Sequence, residues 1–139
     1  MRSLLAVMAL AAAPALAQHP VTQLNAGMHL IRAEVVSDPG TRAEGLMYRK
    51  TMAQNAGMLF IFDEHATHCM WMKNTLIPLS VAFIDDRGTI VNIADMEPQT
   101  EASHCAEKPV KYELEMNRGW FAARGIKPGS RLGGIPGVK

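Results

Sequence analysis

The sequence has little that announces chemistry. Two cysteines, two tryptophans, two tyrosines and four phenylalanines stand among 139 residues, and aromatics make up 6%. Fourteen Lys/Arg against thirteen Asp/Glu leave a formal charge of +1. That balance does not build the field expected of a nucleic-acid-binding surface. There is no G-x-S-x-G, no H-E-x-x-H and no phosphate-binding loop, so the common signatures of hydrolases, metalloproteases and nucleotide enzymes are missing. Beyond the amino terminus no long apolar run occurs, and neither a repeat nor a linker interrupts the chain. What is present is a 48% hydrophobic content, which excludes wholesale disorder, over a length suited to one domain. A two-domain enzyme, a solenoid and a multispanning membrane protein are excluded by size.

The amino terminus reads as an address. In MRSLLAVMALAAAPALA, residues 1–17, Arg2 forms a positive n-region and Leu4 to Ala13 an apolar h-region. Ala15-Leu16-Ala17 is an A-x-A cleavage site, so a mature chain beginning at Gln18 is expected. A membrane anchor needs about 20 apolar residues, and Pro14 with Gln18-His19-Pro20 stops the run short of that. The expectation is therefore a periplasmic or secreted protein with no membrane segment after cleavage, a globular domain over residues 18–139, and a monomer. Loss of Arg2 with the leader brings bases and acids level. The acid-free stretch with Arg118, Arg124, Lys127, Arg131 and Lys139 reads as a solvated tail rather than a nucleic-acid or membrane patch.

Strands dominate the rest. Met28–Val36, Met58–Phe62, His68–Lys73, Leu79–Ile84, Thr89–Ala94 and Lys111–Met116 are β-branched or alternating. Asp85-Asp86-Arg87-Gly88 reads as a hairpin turn. Thr41 and Glu44 have capping-box spacing for a short helix to about Arg49, with Arg42, Leu46 and Arg49 on one face. Asn117 is placed to cap a second, Arg118–Arg124, closed by Gly125. The fold class this predicts is α+β, a small, strongly curved, mostly antiparallel β-sheet or barrel with two short helices.

Cys69 lies in a strand and Cys105 in the polar stretch 97–109. An even count in an exported chain points to a disulfide, Cys69–Cys105. The alternative is a reactive thiolate paired with His68, but neighbours on a strand face opposite sides.

The strings Arg42-Ala43-Glu44-Gly45-Leu46-Met47-Tyr48-Arg49, Gly57-Met58-Leu59-Phe60 and Trp71-Met72-Lys73-Asn74-Thr75-Leu76-Ile77-Pro78-Leu79 carry a family resemblance, as do Tyr112–Gly119 and Gly125–Gly129. Over about residues 28–132 the chain resembles domain of unknown function 192. The resemblance implies a compact, mostly β domain, often exported in bacteria, and no established activity. The chain departs from the pattern at Ser80, where relatives usually place an aspartate after I-P-L.

Three functional readings follow from these residues. Lys73, Asn74 and Thr75 at a strand end, with Arg42 and Arg49 from the helix, offer donors to a small-molecule or protein ligand in a cleft. This non-enzymatic binding or accessory module, without cofactor, is the leading expectation, against the plain alternative that Asn74-Thr75 only satisfies a turn and Lys73 pairs with Asp85. A second reading is a Cu(I) carrier: His68, Met70 and Met72 share a strand face, with Trp71 beside them, resembling the donor set of periplasmic copper carriers. Methionines also fill irregular cores, which is the simpler explanation of eight in the mature chain. The third is a small hydrolase with acids near Asp85 and Asp95. His65 and His68 have i, i+3 spacing, but the pair falls in a turn entering a strand and a zinc enzyme needs three convergent ligands, so the enzyme case is weak.

Overall fold

The computed structural model describes residues 19–139, so the leader read in residues 1–17 lies outside the described part. Nine strands and two helices follow one another as β1 (Val21–Ala26), β2 (His29–Val36), α1 (Pro39–Glu44), β3 (Ala56–Ala66), β4 (Cys69–Met70), β5 (Leu79–Ile84), β6 (Ile90–Met96), β7 (His104–Cys105), β8 (Val110–Asn117), α2 (Trp120–Ala123) and β9 (Leu132–Gly133). Seven of the strands form one sheet in the order β6-β5-β8-β3-β2-β1-β9, antiparallel throughout except for the parallel β2–β3 pair. The sheet curls until its edges meet at one corner. There Thr89 bridges Arg131, and the Ile90 and Leu132 amides donate to Ser130 and Gly88 carbonyls at 2.9 Å. The architecture is the strongly curved α+β sheet with two short helices that the strand pattern implies.

Each face of the sheet has its own core. One cluster draws Leu24, Ile31, Leu59, Ala82, Ile84, Leu114 and Met116 together with Trp120 and Phe121 of α2. The other gathers Met58, Phe60, Val81, Phe83 and Val110 beneath Leu46, Met72 and Ile77, which come from the excursions between strands. Central strands β5 and β8 are thus covered on both faces, and β5 is buried along its whole length. Gly57 is required where β3 meets β8. A Cβ there would fall 2.3 Å from Met116 Sδ and 2.5 Å from the Glu115 carbonyl oxygen.

Both helices start and stop elsewhere than their cap residues suggest. Asp38, not Thr41, caps α1: its carboxylate accepts from the Thr41 amide at 2.9 Å, and Pro39 supplies a ready-made helical φ behind it. Gly45, at φ +48, ends the helix six residues after it begins, so Arg49 never joins the face that holds Arg42. Asn117 does not cap α2. Its side-chain amide donates to the Met52 and Ala53 carbonyls, and Gly119 occupies the cap position. The His68–Lys73 strand is also shorter than its alternation implies, because only Cys69–Met70 pairs, and it pairs with β7 rather than the main sheet. From Trp71 onward the chain turns, through Asn74 at φ +55.

Candidate functional site

A cleft of about 240 Å³ opens on the second core's side of the sheet. The α1 residues Arg42 to Glu44 and the loop Gly45–Met47 form one wall. Phe60 and Phe62 of β3, with Glu115 of β8, form the base, and Cys69, Met70, Trp71 and Thr75 the opposite wall. Local hydrogen bonds hold these walls in place. The Tyr48 amide donates to the Asn74 carbonyl at 2.9 Å, joining the α1 loop to the 72–75 turn. Met72 and Gln99 amides donate to Thr100 and Thr75 carbonyls, at 2.9 and 3.0 Å, and tie that turn to the loop after β6. The Cys69–Cys105 disulfide, the pairing the cysteine count implies, locks β4 directly opposite β7. On a chain-entropy argument, closing a 36-residue loop is worth roughly 3–4 kcal/mol.

The base of the cleft is chemically unusual. Glu113 and Glu115 alternate with Tyr112, Leu114 and Met116 along β8, so both carboxyls point to the second core's face. There Glu113 lies between Phe60 and Phe83 in register, and Glu115 between Met58 and Val81. Glu113 is wholly buried, and neither of its carboxyl oxygens has a hydrogen-bond partner. Glu115 is 3% exposed and borders the cleft. None of the ion pairs among the described residues involves either acid. Burial pushes the Glu115 carboxyl up to about 8. Glu113 rises to about 8 for the same reason, helped by the adjacent Glu115 charge. At neutral pH both are held mainly as carboxylic acids. The alternation of Tyr112–Met116 suggests a strand with one solvated face. What covers that face arrives from residues 37–53 and 67–78, so the local pattern does not signal that the acids are buried.

The residues singled out from sequence are only partly brought together. Arg42 and Thr75 line the cleft, whereas Arg49, Lys73 and Asn74 do not. Arg42 is already engaged: its guanidinium donates to the Ser37 carbonyl, to the Ile61 carbonyl at 3.0 Å and to Asp63 at 3.4 Å, and lies over the Phe62 ring. Arg49 makes a two-pronged pair with Glu34 of β2, 2.5 and 2.9 Å, which holds the Glu34 carboxyl below its ordinary range. Lys73 is exposed, with its Nζ 5.2 Å from the Trp71 ring centre rather than against Asp85. Asn74 serves the turn through its backbone.

The paired strand ends at Met70, but burial keeps alternating: His68, Met70 and Met72 turn inward while Cys69, Trp71 and Lys73 are exposed. His68 stacks on Phe62 at 3.8 Å and its Nε2 lies 2.9 Å from the Glu64 carbonyl oxygen. Met70 borders the cleft, Met72 is buried in the core, and Trp71 is exposed. No cluster of three His, Cys, Asp or Glu suited to a metal occurs among the described residues. The acids of the hydrolase reading separate as well. Asp85 accepts the Arg87 and Thr89 amides within its turn, and Asp95 accepts the Ser80 hydroxyl at 2.6 Å. Ser80 and Asp85 stand at opposite ends of β5, roughly 17 Å of strand apart.

The sheet, the cleft and the buried strand β8 all lie within residues 21–134, which match the family profile of DUF192, described as Uncharacterized ACR, COG1430. The chain belongs to the DUF192 family. Two solved structures share its fold. One, from Sinorhizobium meliloti and described only provisionally as a transcription regulator, is 39% identical, with a TM-score of 0.81 over 86% of this chain and 97% of its own. The other, a protein of unknown function from Novosphingobium aromaticivorans, is 33% identical, with a TM-score of 0.76 over 91% of this chain and 93% of its own. No curated protein matches the sequence. No helix among the described residues is long and apolar enough to cross a membrane.

Proposed function

We propose that this DUF192 chain is an exported binding module, not a catalyst, and that its ligand sits in the cleft against Glu115. The carrying observation is the carboxyl of Glu115, 3% exposed at the base of a cleft walled in part by Phe60, Phe62, Met70 and Trp71, with no ion pair to it among the described residues. A buried polar group without a partner costs free energy, and a ligand that supplies one recovers that cost. The walls fit an occupant with an apolar body: Phe60, Phe62, Met70 and Trp71 give contact area, while Thr75 and Glu115 give orientation. Arg42 acts here as a strut for the wall rather than as a ligand contact. Export is supported by the leader pattern in residues 1–17 and by the disulfide beside the cleft. The provisional regulator description belongs to the Sinorhizobium relative and is not carried over.

Native mass spectrometry of protein taken from the cell envelope tests both parts. The expected species is a chain beginning at Gln18, its two cysteines joined, carrying a small molecule that Phe60→Ala or Glu115→Gln releases. A chain that keeps Met1, or a ligand unaffected by both substitutions, overturns the corresponding part.

A further inference from the structure

Building on the reading of the cleft as the ligand site, we infer that its ligand is an organic cation, an ammonium or guanidinium group on a short apolar stem, seated against Glu115. The argument is one of unmatched charge. Two acids stand two residues apart on one face of β8, so their Cα atoms are about 7 Å apart. Both are buried, and none of the chain's described cations pairs with either. The charged groups facing the cleft are Arg42, Glu44 and Glu115. Arg42 is matched by Asp63 and by two carbonyl oxygens, which leaves the acids as the unmatched charges of the lining. The walls suit a cation too. Aromatic faces attract positive charge, and the rings here already hold the chain's own: Arg42 Cζ lies 5.4 Å from the Phe62 centre and Lys73 Nζ 5.2 Å from the Trp71 centre. An anion would meet Glu115 at the base and Glu44 on the wall, and would oppose the ionisation of Glu115 that a cation favours.

The proton balance follows from the acid's protonated state. A cation binds the carboxylate, so Glu115 gives its proton to solvent as the ion pair forms: one N–H···O contact is made and one O–H bond is broken. With the free carboxyl titrating near 8, most molecules at pH 7 must release that proton. Cation affinity therefore rises about tenfold per pH unit below pH 8 and levels off above it.

The test is isothermal titration of the mature, disulfide-bonded chain with butylammonium and butylguanidinium. It is run from pH 6 to 9 in two buffers of different ionisation enthalpy, with pentanamide and butanoate as neutral and anionic counterparts. Backbone amide shifts of Gly45–Met47 and Met70–Trp71 are recorded alongside. The expected result is binding of a cation only, near one proton released at pH 7, and at least tenfold weaker binding by Glu115→Gln. The proton count is read on the unaltered chain, so it stands even where that variant folds poorly. If pentanamide or butanoate binds as tightly as the amines, with those amides shifting, the cation inference falls while the cleft remains the site. If no probe moves those amides, both readings fall.

Discussion

Strand β8 has two faces that differ by two carboxyls. Toward α2 it presents Tyr112, Leu114 and Met116, packed in the first core cluster, and the Tyr112 hydroxyl is spent on the Pro136 carbonyl at 2.9 Å. Toward the cleft it presents, in equally dry surroundings, Glu113, neither of whose carboxyl oxygens has a partner, and Glu115, which borders the cleft. Burial is the same on both sides, yet only one side gains from it. Apolar surface removed from water stabilises by about 25 cal/mol per Å², whereas a buried, unmatched carboxyl costs free energy whether it stays protonated or ionises. The face toward α2 holds the sheet closed. The other face gives up stability to bury two acids, a cost that the proposed ligand of the cleft would offset.

The sharpest way to test that division is to change pH. Glu113 and Glu115 titrate near 8 in the folded chain and near 4.5 when unfolded. Below 4.5 both states are protonated and the acids cost nothing extra. Between 4.5 and 8 only the unfolded chain ionises, so stability is lost as pH rises, by up to about 1.4 kcal/mol per pH unit for each carboxyl. Above 8 the loss levels off. Urea denaturation from pH 4.5 to 8 is expected to show a decline of several kcal/mol, and Glu113→Gln or Glu115→Gln to remove about half the slope. A profile that is flat or rises across this window breaks the comparison.

The next effect in size separates the covering of the cleft face from the sheet itself. Replacing Cys69 and Cys105 by alanine should cost roughly 3–4 kcal/mol, since the bridge closes a 36-residue loop. The loss should be local. Hydrogen exchange is expected to quicken in residues 69–75 and 99–106, which depend on each other through the Met72–Thr100 and Gln99–Thr75 bonds, and to stay slow in β1 and β2. Leu114→Ala, on the opposite face, should cost about 3 kcal/mol by transfer and cavity terms. Its cost should be the same at pH 5 and pH 8, unlike that of either glutamate.

The sheet was legible because β5 and β6 are apolar, β-branched runs, β8 alternates, and Asp85–Gly88 encodes its turn locally, with Gly88 at φ +83. The disulfide followed from counting. The site was much less legible. Arg42 and Thr75 lie on the cleft, but Arg49 was separated from Arg42 by Gly45, whose φ of +48 ends the helix before a second turn can form. The His68–Met72 alternation looks like a strand although the turn through Asn74 breaks it, and that geometry depends on the 99–106 loop some thirty residues away. Glu113 and Glu115 were hidden for the same reason. An alternating Tyr-Glu-Leu-Glu-Met run has one polar face, and no local signal says that distant loops will close over it.

Ser80 supplies the smallest and most discriminating contrast, because it is a buried polar side chain whose hydrogen bonds are made. Its hydroxyl donates to Asp95 Oδ1 at 2.6 Å, across the β5–β6 register, and accepts the Gly119 amide at 3.0 Å where the chain enters α2. The family resemblance leads one to expect an aspartate at this position, but an acid at 80 would face Asp95 directly across the strand pair and repel it. Serine keeps both bonds without the second charge. Ser80→Ala leaves the Gly119 amide without its acceptor while Asp95, which is exposed, returns to water, so the expected loss is about 1–2 kcal/mol. Urea denaturation should give the same loss at pH 5 and pH 8, because the group removed is a serine hydroxyl, which carries no charge in this range. A loss that grows with pH along with the glutamate slope means that β5 and β8 respond as one electrostatic unit, and the assignment of the pH dependence to Glu113 and Glu115 alone would then have to be abandoned.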